Sequence, residues 1–239
     1  MADTDRSGDQ KRSLSMSNQY FSDSEIMFLE ARMFGASLME CNRLCEAELE
    51  NWLFYPGMLF DSLEKWWGNG GMRPSAHEGL DICLYRTGSG QVRRLSPDTM
   101  IPAIYEGTVV RLDDDFLGKS VYVRHEICDD KGRQLFTIYG HTVPADHIRP
   151  GYALRRGEVF ASIPAFEKKK VRILPHLHLS VAWIPESFPC EALDWPVLGE
   201  RGNIELLNPL PLTAHEYGIL KQPEYLPDPL PYPVLSKKP

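Results

Sequence analysis

The chain has 239 residues, with 26 Lys+Arg against 33 Asp+Glu and a formal net charge of −7. Apolar residues at 43% and charged residues at 25% exclude wholesale disorder, and the acidic balance excludes a general electrostatic footprint for nucleic acid. No apolar run reaches the ~18 residues a membrane-spanning helix needs, and the polar N-terminus lacks the apolar core of a secretory signal.

Residues 1–20 are Ser- and Asp-rich and too poor in apolar side chains to fold alone, so a disordered N-terminus is expected. Ser22 and Glu25 have capping-box spacing, and Phe21 and Ile26 sit at the flanking staple positions. Ala, Leu, Met and Glu dominate from Glu25 to about Leu53, which predicts a helix. Tyr55-Pro56-Gly57 marks a turn, and a second short helix is predicted over Met58–Trp67, ended by Gly68-Asn69-Gly70-Gly71. Residues 21–71 therefore read as a helical N-terminal extension.

From residue 72 the texture changes to short apolar, β-branched runs separated by turns. Strands are predicted at Asp81–Tyr85, Gly107–Leu112, Ser120–Ile127, Gln134–Tyr139, Glu158–Ile163 and His176–Trp183. Cys128-Asp129-Asp130-Lys131-Gly132-Arg133 reads as a hairpin turn. No crossover helix fits between these strands, so a mostly antiparallel sheet follows. Eleven of the 19 prolines lie in 185–239, and 213–239 reads as a Pro-rich tail.

The cysteines (Cys41, Cys45, Cys83, Cys128, Cys190) are odd in number and irregular in spacing, unlike a disulfide framework. The histidines say more. His176 and His178, two apart in a strand-like run, leave the same face. His77 and Asp81, four apart, also share a face if extended, and the residue between them there is Gly79, whose missing side chain leaves room for an ion and its water. Two imidazoles and a carboxylate suit Zn²⁺ with an open fourth position. His125 and Asp129 repeat the same spacing, but Asp129 falls in the predicted turn, so His125 reads as a strand histidine. His147 and His215 sit in polar, turn-like surroundings and read as surface residues. Trp66-Trp67 reads as packing at a helix end, and Arg73 as either a structural ion pair or a contact for a substrate carboxylate.

The ordered set His77-x-x-x-Asp81, Tyr139-Gly140-His141, His176-Leu177-His178 resembles the M23 family of zinc metallopeptidases, the lysostaphin-like peptidoglycan endopeptidases. Pro102–Val110, Ile148-Arg149-Pro150-Gly151, Arg156-Gly157-Glu158-Val159 and Asn208-Pro209 extend the likeness, which covers residues 72–212. The resemblance implies a mainly β fold, with an antiparallel sheet bent into a groove and a smaller sheet beside it. It implies one Zn²⁺ per chain on His77, Asp81 and His178, with His141 and His176 as catalytic histidines beside the metal. The roles of base and oxyanion stabiliser stay open between those two. The implied activity is a zinc metalloendopeptidase that hydrolyses peptidoglycan, or a related small-residue peptide, through a zinc-activated water.

Two features depart from the family pattern. The loop before His176, Phe166 to Leu174, has no glycine and carries Lys168-Lys169-Lys170 where a Gly/Ser-rich loop is usual. The absence of an export signal makes the chain, as written, cytoplasmic, whereas the family role is in the cell envelope or outside the cell. The alternative is therefore a non-catalytic M23-like binding or regulatory module. Oligomeric state is not legible.

Overall fold

The computed structural model describes residues 33–44, 49–165, 173–213 and 216–221. Its elements begin with α1 (Met33–Cys41), β1 (Asn51–Phe54), β2 (Leu80–Ile82), β3 (Leu84–Arg86), β4 (Val92–Arg94) and β5 (Met100–Pro102). The long strands follow: β6 (Gly107–Asp114), β7 (Lys119–Cys128) and β8 (Arg133–Pro144). After them come β9 (Ala153–Leu154), β10 (Val159–Ser162), β11 (Leu177–Pro185), α2 (Trp195–Glu200), β12 (Glu205–Leu207) and β13 (Tyr217–Ile219). Among the described residues no helix is long and apolar enough to cross a membrane.

The molecule is mainly β. A nine-stranded sheet has the main path β12-β11-β8-β7-β6-β9, with β2 on β11, β10 on β8 and β5 on β10. A four-stranded sheet runs β13-β1-β3-β4. Among the described residues every pairing is antiparallel except β1 with β13, which is parallel.

Period-two alternation sorts the large sheet into two buried faces. Val121, Val123, Leu135, Tyr139, Leu179, Val181 and Trp183 enter one core, shared with α1 and the small sheet. Tyr122, Phe136, Ile138, Ala182 and Ile184 enter the other, closed by Leu193, Leu198, Ile204 and Leu206. β11 is buried on both faces from Leu177 to Ile184, as its nearly unbroken apolar run requires. Its polar members, His178 and Ser180, lie on the second face, in line with Ala182 and Ile184.

The expected strands all form, with one refinement. The run expected at Asp81–Tyr85 is two strands, because β2 pairs with β11 while β3 pairs with β1 and β4. The chain passes from one sheet to the other at Cys83, which is fully buried. At the hairpin 128–133 the Asp129 carboxylate accepts from the backbone N–H groups of Lys131 and Arg133, and Gly132 takes φ +73°.

The helical expectation for 21–71 needs correction. Within the described residues it holds only for α1. The helix stops because the Asn42 side chain donates to Leu38 O at 2.8 Å and accepts from the Met100 N–H at 2.7 Å, tying its end to β5. Asn51–Phe54 is a strand, since Trp52, Leu53 and Phe54 are all fully buried between β3 and β13 and a helix would present only one side of that run. Residues 58–67 are not a helix either. Pro56–Met58 is a 3-10 turn, and the chain then runs irregularly to an isolated bridge between Glu64 and Met72. Gly57 packs so closely on that return that a Cβ would lie 2.8 Å from both Glu64 O and Trp66 N. The capping residues Ser22 and Glu25, the tail prolines 227–233 and Cys45 lie outside the described residues, and the other four cysteines are free.

Gly79 makes a comparable contact where β2 meets β11: a Cβ there would sit 2.3 Å from Leu179 O and 2.6 Å from Ser180 Oγ. Gly79→Ala is expected to force those strands apart and cost about 1–3 kcal/mol. Equilibrium denaturation against the wild type measures it; an unchanged midpoint would contradict the packing argument.

Candidate metal centre

The register of three adjacent strands assembles the site. β2 sets Asp81 opposite His178 of β11, and β11 sets His178 opposite Gly140 of β8. His77 precedes β2 and is held by its own backbone, its N–H donating to Ser62 O and its carbonyl accepting from Asp61 N. All three side chains are buried.

Their outward hydrogen bonds decide which atoms face inward. The Leu59 carbonyl can only accept, so the 2.9 Å contact with His77 Nδ1 puts the ring proton there and leaves Nε2 as a lone pair. His178 uses Nε2 on Ser180 Oγ at 3.0 Å and turns Nδ1 inward. The inward atoms form a triangle. His77 Nε2 to His178 Nδ1 is 3.1 Å, His178 Nδ1 to Asp81 Oδ1 is 2.8 Å, and His77 Nε2 to Asp81 Oδ1 is 3.2 Å. Ligands of a tetrahedral Zn²⁺ with bonds near 2.0 Å lie about 3.3 Å apart. Three acceptors this close repel one another unless a proton or cation lies among them. In chemistry and spacing the donor set fits zinc.

Asp81 is held from both sides. Its Oδ2 accepts from Trp66 Nε1 at 2.6 Å and faces the Arg73 guanidinium at 3.6 Å. Burial pushes its carboxyl up, but the surrounding rings of His77, His176 and His178 outweigh that and hold it well below the ordinary value. Burial likewise pushes His178 down, and it brings His176 down to about 3, so both rings favour the neutral form.

His176 and His141 stand beside the triangle. Nδ1 of His176 donates to Leu174 O at 2.8 Å, and its ring packs edge-on against Trp66 at 5.0 Å. Its Nε2 lies 3.6 Å from Asp81 Oδ1. The His141 ring is 4.8 Å from that of His176 and 5.9 Å from that of His178. His141 has φ +60°, a conformation that costs a non-glycine residue about 1–3 kcal/mol. The Asp115 carboxylate compensates, accepting from the His141 backbone N–H at 2.8 Å and from Nδ1 at 3.0 Å.

A groove of about 240 Å³ opens over these residues, lined by Asp81, Asp115, His141, His176 and His178 on its floor and by Trp67, Arg73, Glu78, Phe116, Ile173 and Trp195 around them. His77 is fully buried and does not line it. Arg73 stacks over Trp67 at 4.3 Å, donates to the carbonyls of Gly57 and Glu64, and forms an ion pair with Asp81 at 3.6 Å.

The structure thus brings His77, Asp81, His141, His176 and His178 together and leaves His125 and His147 apart. His125 is buried between Glu106 O and Thr137 Oγ1, and His147 is exposed against Tyr152. His215 and Lys168–Lys170 lie outside the described residues. Gly79 serves strand contact, not ion space: its missing Cβ would strike the His178 Nε2 edge at 2.8 Å, the side turned away from Asp81. Trp66 is no helix-end residue; it is a hydrogen-bond donor to Asp81. Sequence reasoning missed Asp115 and Trp195. Trp195 packs edge-on to His178 at 4.7 Å and donates to Ser120 Oγ at 3.0 Å. It also explains the glycine of Tyr139-Gly140-His141, since a Cβ on Gly140 would come within 2.9 Å of the indole. The one sequence signal for Asp115 was its place at the end of the acidic run Asp113-Asp114-Asp115, between two expected strands.

No protein-family model and no curated protein matches the chain. Among solved structures it is similar to a mutant catalytic domain of the prophage-encoded M23 protein EnpA from Enterococcus faecalis. The identity is 21%, the TM-score 0.30, and the match covers 46% of this chain and 71% of that one. It is similar to Helicobacter pylori Csd3 at 19% identity and a TM-score of 0.32, over 54% of this chain and 33% of that one. For lysostaphin the identity is 17% and the TM-score 0.35, over 73% of this chain and 61% of that one. The chain spans less than two thirds of the latter two. At TM-scores this low the likeness assigns neither family nor activity.

Zinc titrated into chelator-treated protein is expected to bind at one ion per chain. Asp81→Ala should abolish tight binding, and Trp66→Phe, which strips one donor from Asp81, should weaken it roughly 10–100-fold. A competing zinc indicator measures both; equal affinities for wild type and Asp81→Ala would contradict the assignment.

Proposed function

We propose that this chain is a zinc-dependent endopeptidase acting on peptidoglycan or a related small-residue peptide, with His77, Asp81 and His178 holding the metal. The observation that carries this reading is the convergence of His77 Nε2, His178 Nδ1 and Asp81 Oδ1, the last two lining an open groove, with two more imidazoles beside them. A zinc ion held there supplies Lewis acidity towards a carbonyl and acidity to water.

The chain's own residues supply the rest. The Leu174 carbonyl fixes the His176 proton on Nδ1, and the Asp115 carboxylate does the same for His141, so each presents Nε2 as a site that accepts and returns a proton. Either ring, once protonated, is also a donor to the oxygen that gains charge when a peptide carbonyl is attacked. The Trp67, Phe116 and Trp195 side chains give the groove apolar walls that exclude water around an extended peptide. The peptide-bond substrate is supported by the ordered likeness of His77-x-x-x-Asp81, Tyr139-Gly140-His141 and His176-Leu177-His178 to the M23 peptidases.

Cell-wall fragments and small-residue peptides incubated with zinc-loaded protein are expected to be cleaved. His176→Ala should keep its zinc and lose about two to three decades in rate, comparable to the loss of one oxyanion donor. Mass spectrometry of the products, beside zinc content, tests both. Loaded wild type that cleaves nothing would overturn the peptidase reading.

A further inference from the structure

We propose that Asp115 is a positioning residue for His141, clamping its backbone and its ring so that Nε2 is presented to the groove. As a role in catalysis this rests on the endopeptidase reading above; as a statement about the His141 ring it does not.

Asp115 opens the turn between β6 and β7, 26 residues before His141. Turn closure alone needs only one of its oxygens. Oδ1 accepts from the backbone N–H groups of Leu117 at 2.9 Å and Gly118 at 2.8 Å, while the Asp115 N–H donates to Gly118 O. The carboxylate does more than this. Oδ1 also takes the His141 Nδ1 proton at 3.0 Å, and Oδ2 takes the His141 backbone N–H and the Ser120 hydroxyl, each at 2.8 Å. Five donors thus converge on one carboxylate whose side chain is 2% exposed. Burial raises its carboxyl, and the bonds from His141 and Ser120 reverse that, holding it far below the ordinary range.

An ionised carboxylate only accepts, so in the neutral His141 ring the proton is confined to Nδ1 and Nε2 carries the lone pair. The same carboxylate binds the backbone N–H through its other oxygen, so the ring and the backbone of a residue held at φ +60° are anchored to one group. The clamp extends to the metal side of the groove as well. Ser120, which donates to Oδ2, accepts from Trp195 Nε1, and the Trp195 indole packs against His178. His176 has only a neutral carbonyl behind its Nδ1. The two groove histidines are therefore backed differently, one by a full negative charge fixed at two points and the other by a strand carbonyl.

The test is the proton position on His141, read from long-range ¹H–¹⁵N spectra of the histidine rings in zinc-loaded protein and assigned against His141→Gln. Wild type is expected to show the Nδ1–H tautomer. Asp115→Asn cannot accept at both oxygens; it should populate the Nε2–H tautomer and lower kcat roughly 10–100-fold, with KM and zinc content held. A variant that keeps the wild-type tautomer and kcat, and shows only a lower unfolding midpoint, would reduce Asp115 to a turn residue. The wild-type spectrum alone keeps the proposal falsifiable if the variant does not fold, because a His141 proton on Nε2 overturns it. Wild type that holds the Nδ1–H tautomer yet cleaves no peptide overturns the endopeptidase reading and leaves the clamp standing.

Discussion

A carboxylate removed from water must be met by charge or by donors on every side, and Asp81 sets that demand at the centre of this molecule. Its two oxygens divide the surroundings. Oδ1 turns to the imidazoles, and Oδ2 takes the Trp66 indole with Arg73 behind it. Each partner comes from a different part of the chain, so satisfying one buried charge fixes the irregular segment 59–73 against β2 and β11. The same residue carries the step between sheets, two positions before the chain leaves β2 for β3.

Much of this arrangement was legible because strands have a simple period. His176 and His178 two apart, within an apolar run, put two rings on one face, and the register with β2 adds Asp81 to it. Alternation also located the long strands and their turn at Asp129. Asp115 escaped for a physical reason: a single carboxylate in an acidic turn looks solvated until β8 is folded back beside it. Trp195 escaped likewise, since its contacts with Ser120, His178 and Gly140 are all tertiary.

The helical reading of 51–54 and 58–67 failed for a related reason. Residue propensity weighs each side chain alone, and tertiary burial overrides it. Trp52, Leu53 and Phe54 are buried on both sides, which only a strand inside a sheet provides. Trp66 lies where it does because Asp81 needs its N–H, and no periodicity in the sequence records that requirement.

The one parallel pairing among the described residues has a consequence for how the chain folds. β1 lies between β3, which follows it closely, and β13, which comes after every strand of the large sheet in the sequence. Parallel partners distant in sequence carry a high loop-closure entropy and form slowly. Until Tyr217 reaches Phe54, one edge of β1 presents unpaired N–H and C=O groups beside large apolar side chains. Such an edge is a template for another chain. β13 is thus the strand whose docking ends the period in which a nascent molecule is open to association with its neighbours.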